Sequence, residues 1–307
     1  MRKIFGAVCT YRRPDDLRVM LDAIERQTRR PDHLIVIDND ADPRVSKLVA
    51  AHSLATLVPV ETLSVADNAG PAGAFALAFE QFSTIAGEDD VFAIFDDDDP
   101  PPSDTLLADL LAVVEESFVD PRVAGVGLRG GVLDTRTGFI QSRPCPLGES
   151  IQASDHLHGG WFPCYRFSAL TRVNDFDPSF FWGFEELELG RRLITQGYEL
   201  RVASDVYFAA VPGAATAHPR RRLLAGLQEP SWRHFYRHRN LIRVLRRDRA
   251  LGALIMTIGG RLLLKPLLFA PRNPRRALWH LRTNYQATRE AFQGELSTPK
   301  HPAHLPA

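Results

Sequence analysis

The sequence of 307 residues is poor in cysteine, has no net charge and contains no internal repeat. Its three cysteines, Cys9, Cys145 and Cys164, are widely spaced and form no CxxC pair, which argues against a disulfide framework or a zinc site and fits a reducing compartment. Lys plus Arg equals Asp plus Glu at 37 each, so the total charge indicates neither a nucleic-acid binder nor an acidic protein.

Long apolar runs are also scarce. The amino-terminal run is too short for a signal peptide and meets charged residues within ten positions. The longest membrane-like stretch, from Ala250 to Ala270, is interrupted by glycines, charges and a proline: Gly259, Gly260, Arg261, Lys265 and Pro266. We therefore expect no transmembrane helix and a cytoplasmic location.

Strand-like and helix-like periods alternate through the first 117 residues, and 45% of the chain is hydrophobic, which is enough for a substantial core. The predicted strands cover 3–10, 33–40, 56–63 and 91–95, and the predicted helices begin at Pro14, Pro43, Pro71 and Ser103. This order predicts an α/β fold with a doubly wound, mostly parallel sheet. A hairpin is predicted around Thr135 to Gly138, and the chain becomes helical and basic from Ser231 onward.

Polar residues gather where the predicted strands end. They occupy positions 10–13, 38–40, 67–73 and 96–99. In parallel sheets these positions share one edge, where ligands bind. Any one cluster is explained equally well as an ordinary polar loop, but four clusters on one edge favour a binding site.

Four adjacent carboxylates, Asp96 to Asp99, follow the fourth strand, and Pro100, Pro101 and Pro102 stiffen the exit. The carboxylates repel one another, so a positive partner is expected. Asp96 and Asp98 point the same way on an extended segment, and carboxylate oxygens suit Mg²⁺ or Mn²⁺. The alternative is a solvated acidic turn.

Several segments together resemble family 2 glycosyltransferases with the GT-A fold. The segments are "VCTYRRPDDLRVMLDAIERQTRRPDHLIVIDND", "DNAGPAGAF", "FDDDDPPPSDTL", "FFWGFEELELGRRL" and "FYRHRNLIRVLRR". The resemblance covers Lys3 to Arg247 and is strongest to bacterial galactofuranosyl and rhamnosyl transferases. It implies an inverting, metal-dependent enzyme that uses a nucleotide-sugar donor such as a UDP or dTDP sugar.

The resemblance also assigns candidate site residues. For the nucleotide sugar it implies Thr10, Tyr11, Arg13, Asp38, Asn68, Gly70, Gly73, Asp96 and Asp97. For a divalent cation, Mn²⁺ or Mg²⁺, it implies Asp98, Asp96 and His218. The catalytic base aligns with Glu186, and Glu185 remains the alternative because the family more often has Asp there. Arg220, Arg221 and Arg222 could hold the leaving diphosphate or form a solvated loop.

Two tryptophans and the basic carboxyl-terminal half complete the candidate features. Trp161 and Trp182 are candidate platforms for sugar stacking, with core packing as the alternative. From His218 to Arg282 the chain carries fifteen Arg and one Lys against two acidic residues. This composition is typical of helices at an anionic membrane surface, although an oligomer interface or an amphipathic packing helix fits equally well. No nucleic-acid-binding motif accompanies the arginines.

These features predict a GT-A domain over 1–230, a basic helical extension over 231–292 and a disordered tail over 293–307. The expected reaction transfers a galactofuranose- or rhamnose-like sugar to an acceptor hydroxyl, on a lipid-linked or cell-envelope glycan. Peripheral contact with the inner face of the plasma membrane and oligomerisation are compatible with this expectation. Three alternatives stay open: a soluble natural-product acceptor, a nucleotidyltransferase with a similar sheet, and a non-catalytic sugar-binding relative.

Overall fold

The computed structural model describes residues 2–146, 148–216 and 229–293. Its strands are β1 Ile4–Thr10, β2 His33–Asp38, β3 Val60–Ser64, β4 Val91–Asp96, β5 Val123–Gly127, β6 Gly130–Leu133, β7 Ile140–Arg143, β8 Ile151–Ser154, β9 His156–Leu157, β10 Cys164–Arg166 and β11 Glu199–Ala203. Its α-helices are α1 Pro14–Arg26, α2 Pro43–Ala51, α3 Gly70–Phe82, α4 Leu106–Ser117, α5 Phe167–Val173, α6 Glu185–Thr195, α7 Ser204–Ala210, α8 Trp232–Arg247, α9 Leu251–Ile258, α10 Lys265–Phe269 and α11 Pro274–Phe292. All but residue 293 of the predicted disordered tail lies outside the described residues.

An eight-stranded sheet in the order β3-β2-β1-β4-β10-β5-β11-β8 forms the centre of the described structure. The pairs β3-β2, β2-β1, β1-β4 and β5-β11 are parallel, whereas β10 lies antiparallel between β4 and β5, and β8 pairs antiparallel with β11. The prediction of a mostly parallel α/β sheet is confirmed. The carboxyl ends of β1, β2, β3 and β4 consequently share one edge.

The two faces of the sheet are buried under different helices. Alternate side chains of β1 point to opposite sides, so Ile4 and Val8 pack with α1 and α4, whereas Phe5 and Ala7 pack with α3 and α5. Both β1 and β4 are buried almost throughout, as expected of strands in a sheet that is covered on both faces. Because helices cover both faces, the acidic residues lie at the edge of the sheet and not on a face.

Two local predictions need correction and one is confirmed. The predicted third strand over 56–63 begins only at Val60, because Ser53–Thr56 forms a 3₁₀ turn. The hairpin around Thr135 to Gly138 is present, with β6 and β7 paired antiparallel across it. Glycines and Pro266 do not break the apolar stretch after α8: a π-helical turn, Gly259–Leu264, joins α9 to α10.

Leu251–Phe269 is therefore one continuous helical run, whereas the sequence-based expectation of no transmembrane helix assumed that this stretch is interrupted. By length and composition alone this run could cross a bilayer, with 19 residues and a mean hydropathy of 1.5, and it is the one such helix in the described residues. Only 17% of its apolar window is buried in the protein, so most of it faces away from the core.

The helical extension is joined to the sheet domain by a buried ion-pair network. Glu188 on α6 bonds to Arg192 on the same helix, with Nε to Oε1 at 2.7 Å, and also pairs with Arg247 on α8. Its side chain is almost fully buried, so removal of either arginine would leave a desolvated charge. This network fixes α6, which begins with Glu185 and Glu186, against α8.

Candidate active site

The four aspartates begin where β4 ends. Asp96 is the last residue of β4, and oxygen atoms of Asp96, Asp97 and Asp98 all lie within 4.8 Å of one another. Burial raises the pKa of Asp96 to about 7, with further contributions from Asp98, Asp97, Glu186 and Asp99. Such crowding disfavours simultaneous ionisation unless a positive charge is supplied.

Part of that positive charge comes from Arg13, the residue that precedes α1. Its guanidinium pairs with Asp98, and its Nη1 lies 3.6 Å from Asp97 Oδ1. Burial still raises the pKa of Asp97 to about 6, against the lowering effects of Thr10 and Arg13. The sequence-based expectation of a positive partner is met by an arginine from the neighbouring strand end, which the resemblance had assigned to the donor.

The aspartate side chains are also suited to bind a divalent cation. The Oδ2 atom of Asp97 is buried without a hydrogen-bond partner among the described residues. Three carboxylates with converging oxygens match the donor set that Mg²⁺ and Mn²⁺ prefer. Asp96, Asp97 and Asp98 are therefore suited to hold such a cation.

The acidic pair Glu185 and Glu186 begins α6, directly after a strained loop. Phe181, Gly183 and Phe184 all have positive φ, and two of these three are bulky residues for which this backbone conformation is costly. Glu186 Oε1 accepts a hydrogen bond from the backbone N–H of Gly159 at 3.0 Å. Glu185 is buried, and burial followed by repulsion from Glu186 raises its pKa well above the ordinary value.

Two residues of α8 hold this strained loop in place. The side-chain amide of Asn240 donates to the carbonyls of Phe180, Trp182 and Gly183 at 2.8, 3.1 and 2.6 Å. Arg239 is also buried and donates from Nη2 to the carbonyls of Ser179 and Phe180 at 2.9 and 3.0 Å. The resemblance included their motif, but no role was predicted for either residue. The feature that marks these two residues is that they are adjacent polar residues of an amphipathic helix and yet are both buried.

Candidate nucleotide-binding residues lie at the ends of β1 and β2. Thr10 is buried at the end of β1, and the neighbouring Tyr11 is exposed. Asp38 is fully buried at the end of β2, and its Oδ2 has no hydrogen-bond partner among the described residues. Burial raises the pKa of Asp38. A buried acceptor without a partner at the ligand-binding edge is suited to an N–H donor of a ligand.

The Asn-x-Gly segment forms the start of α3. Asn68 Oδ1 accepts from the N–H of Gly70 at 2.8 Å. Gly70 has φ +67°, and a Cβ there would clash with the carbonyl of Phe181. Gly73 is buried one turn later, and its Cβ would clash with Ala69. Both glycines are therefore required by packing, because a larger side chain would clash at either position. Gly70 also brings this segment against the loop that precedes Glu185.

The two candidate tryptophans lie in different surroundings. The guanidinium of Arg129 lies 4.5 Å from the Trp161 ring centroid and pairs with Asp99, which places Trp161 beside the acidic cluster. Trp182 belongs to the loop before Glu185 and packs against Trp232, with centroids 5.2 Å apart. Arg129 is a further site residue that sequence reasoning missed, because no local pattern links it to residues thirty positions away.

The remaining predicted residues fall outside the described part of the chain. His218, the candidate metal ligand, and the arginines 220, 221 and 222 lie between 217 and 228, which the structure does not describe. Their assignment stays a prediction. The site defined by the described residues therefore consists of the aspartates, Arg13, Glu185, Glu186 and the nucleotide-side residues around Thr10, Asp38 and Asn68.

Comparison with known proteins agrees with this geometry. The family described as "Glycosyltransferase like family 2" matches residues 3–229. Galactofuranosyltransferase GlfT1 of Mycobacterium tuberculosis is 31% identical over 252 residues, which span 77% of this chain and 80% of that protein.

Solved structures with low sequence identity share the fold. The mannosyltransferase PcManGT from Pyrobaculum calidifontis, in complex with GDP-Man and Mn²⁺, superposes with a TM-score of 0.54 at 18% identity, over 95% of this chain and 75% of that one. GalNAc-T7 with UDP, GalNAc and Mn²⁺ superposes with a TM-score of 0.58 at 12% identity, over 97% of this chain and 59% of that one. The chain belongs to glycosyltransferase family 2 and is a nucleotide-sugar glycosyltransferase with the GT-A fold.

Proposed function

We propose that the chain is an inverting, metal-dependent transferase for a galactofuranose- or rhamnose-like sugar, carried on UDP or dTDP. The acceptor in this proposal is a hydroxyl of a lipid-linked or cell-envelope glycan. The name of the GlfT1 relatives supports the sugar, and the Mn²⁺ bound in PcManGT and GalNAc-T7 supports the metal.

One observation carries the proposal: Glu186 lies close to the aspartate cluster, because it accepts from the N–H of Gly159 and the next residue, Gly160, lies against Asp99. Glu186 is close enough to contribute to the raised pKa of Asp96, although it lies ninety residues further along the chain. Glycosyl transfer needs a leaving diphosphate and an attacking hydroxyl on opposite sides of one anomeric carbon. A cation-binding cluster beside a carboxylate base supplies both requirements.

The aspartates act on the donor side. Asp98 and Asp96 would hold the cation, which when bound neutralises charge that develops on the diphosphate. Arg13, already paired with Asp98, is placed to donate to the same diphosphate, because a guanidinium can form two parallel hydrogen bonds to phosphate oxygens. Asp38 and Thr10 line the nucleotide end of the edge.

Glu186 acts on the acceptor side as the base. One of its oxygens accepts from Gly159 N–H, which orients the carboxylate, and the other is left to take the proton of the acceptor hydroxyl. The hydroxyl oxygen bonds to the anomeric carbon as the bond to the diphosphate breaks on the opposite face. Glu185 is a poorer candidate, because burial and then repulsion from Glu186 disfavour its charged form and raise its pKa.

A kinetic comparison of Glu186→Gln with Glu116→Gln tests this assignment. Glu116 is an exposed residue of α4 and serves as the matched control. Release of nucleoside diphosphate from a panel of UDP and dTDP sugars should fall by about 10²- to 10⁴-fold in Glu186→Gln and stay unchanged in the control. Nucleotide binding should persist in both.

Two results would contradict the proposal. Undiminished turnover by Glu186→Gln would remove this residue as the base. Release of pyrophosphate from a nucleoside triphosphate and a sugar phosphate, without diphosphate release from nucleotide sugars, would identify a nucleotidyltransferase instead.

A further inference from the structure

The helical run Leu251–Phe269 exposes a continuous set of large apolar side chains, here called the apolar face. Its members are between 52% and 71% exposed: Leu251, Ile255, Met256, Leu263, Leu264, Leu267 and Leu268. Soluble monomers rarely expose so many large apolar residues on one element. The apolar face therefore requires an occupant.

The opposite side of the same run is packed against protein. Ala253, Leu254, Thr257 and Pro266 are buried, and the side-chain amide of Asn284 on α11 donates to the carbonyl of Arg261 at 2.6 Å. A helix attached to the domain along one side cannot be surrounded by lipid. The geometry fits a helix that lies in a membrane interface with one face inserted.

Basic side chains accompany the apolar face, and they identify the occupant. Arg261 and Lys265 belong to the run itself, and Arg237 on α8 lowers the pKa of Arg261 after the larger effect of burial. Burial and then Arg261 lower the pKa of Lys265. Among the described residues, no carboxylate forms an ion pair with Arg233, Arg237, Arg261 or Lys265. Arg233 and Arg237 are exposed and Lys265 is half-buried, so these three cations are available to an anionic surface, whereas Arg261 is more deeply buried.

We propose that the apolar face, together with Arg233, Arg237 and Lys265, docks the protein onto a bilayer that contains anionic phospholipids. The leucines enter the acyl boundary, and the cations meet headgroup phosphates. The surface is also close to the catalytic loop, because Arg233 and Arg237 lie 5.2 and 5.0 Å from the centroid of Trp182. Delivery of a membrane-borne acceptor to Glu186 rests on the proposed function, whereas the docking itself does not.

Flotation with vesicles tests the docking without any activity measurement. The wild-type chain should float with vesicles of phosphatidylglycerol and phosphatidylcholine, and at least tenfold less with phosphatidylcholine alone or in high salt. The double variant Leu264→Glu/Leu268→Glu should lose binding at least tenfold. The matched control Ile85→Glu/Val119→Glu introduces the same charges at exposed apolar positions elsewhere and should float like wild type.

A second pair of variants tests the electrostatic contribution to membrane binding. Lys265→Gln should weaken binding to anionic vesicles by about fivefold, and Lys47→Gln, an exposed lysine on α2, should have no effect. A cooperative thermal unfolding transition at the wild-type temperature confirms that every variant is folded.

Three outcomes would overturn the inference. The first is a wild-type chain that does not float with anionic vesicles, and the second is equal flotation of the Leu264→Glu/Leu268→Glu variant. The third is a dimer in light scattering that dissociates in this variant while neither protein floats, because a second copy would then cover the face. Inactivity of the enzyme in the Glu186 assay would leave flotation unchanged, so the two proposals fail separately.

Discussion

Asn240→Ala tests how the carboxyl-terminal extension supports catalysis. The substitution removes hydrogen bonds to three carbonyls of the loop that precedes Glu185, at 2.6 to 3.1 Å, and the acceptor for Arg239 Nε at 2.9 Å. The amide has two N–H groups for these three carbonyls, so at about 1 kcal/mol for each lost hydrogen bond the free energy of unfolding should fall by about 2 kcal/mol. The released loop should also displace Glu186.

Urea unfolding and steady-state kinetics measure the two effects. The unfolding midpoint should fall, and kcat should fall by about tenfold or more, because misplacement of a base weakens catalysis steeply. The affinity for nucleoside diphosphate should change little, since the nucleotide side lies at other strand ends. Gln81→Ala removes an exposed amide on α3 and serves as the control. Wild-type stability together with wild-type kcat in Asn240→Ala would refute the positioning role.

Two further predictions concern stability. The pKa of His234 is lowered to about 4 by burial and then by His280, so the unfolded chain binds more protons below pH 6.5 and stability falls as the pH drops toward 4. The contribution of His234 between pH 7 and pH 5 is about 2 kcal/mol, and it is measured as the difference between wild type and His234→Gln, because the raised pKa values of Asp96 and Asp97 act in the opposite direction. The same change in urea midpoint between these two pH values in both proteins would contradict it. Gly70→Ala should lower the free energy of unfolding by about 2 kcal/mol or more, because of its positive φ and the carbonyl of Phe181. Gly259→Ala should not, because the added Cβ meets no described atom within 4 Å apart from its chain neighbours and the adjacent backbone of its own helix; equal melting temperatures for the two variants would contradict this expectation.

The strands that form the ligand-binding edge could be predicted because their signal is local. β1, β2 and β4 are short, almost continuously apolar runs that end in polar residues, and such runs are typical of parallel strands buried on both faces. The chain connectivity then places their ends on one edge. The shared position of the polar clusters follows from that placement, whereas the roles given to single residues were implied by the family resemblance and stay predictions.

Other features could not be predicted because their causes are distant in sequence. β10 has only three residues, Cys164–Arg166, too few to show a period, yet it separates β4 from β5. The pairing of Arg13 with Asp98 joins positions 85 residues apart. Likewise, the amide of Asn240 acts on a loop about sixty residues earlier. The continuity of Leu251–Phe269 was missed because glycines and a proline usually end helices, whereas here a π-helical turn accommodates them.

In the proposed mechanism, the aspartate cluster holds a cation that binds the donor diphosphate. Calorimetric titration with the nucleoside diphosphate that stabilises the chain most, with and without Mn²⁺, tests it directly. We expect Mn²⁺ to strengthen binding by about tenfold or more in wild type and in Asp205→Asn, an exposed control, and to have no effect in Asp98→Asn. Equal affinity with and without Mn²⁺ in wild type, or full Mn²⁺ dependence in Asp98→Asn, would contradict the claim.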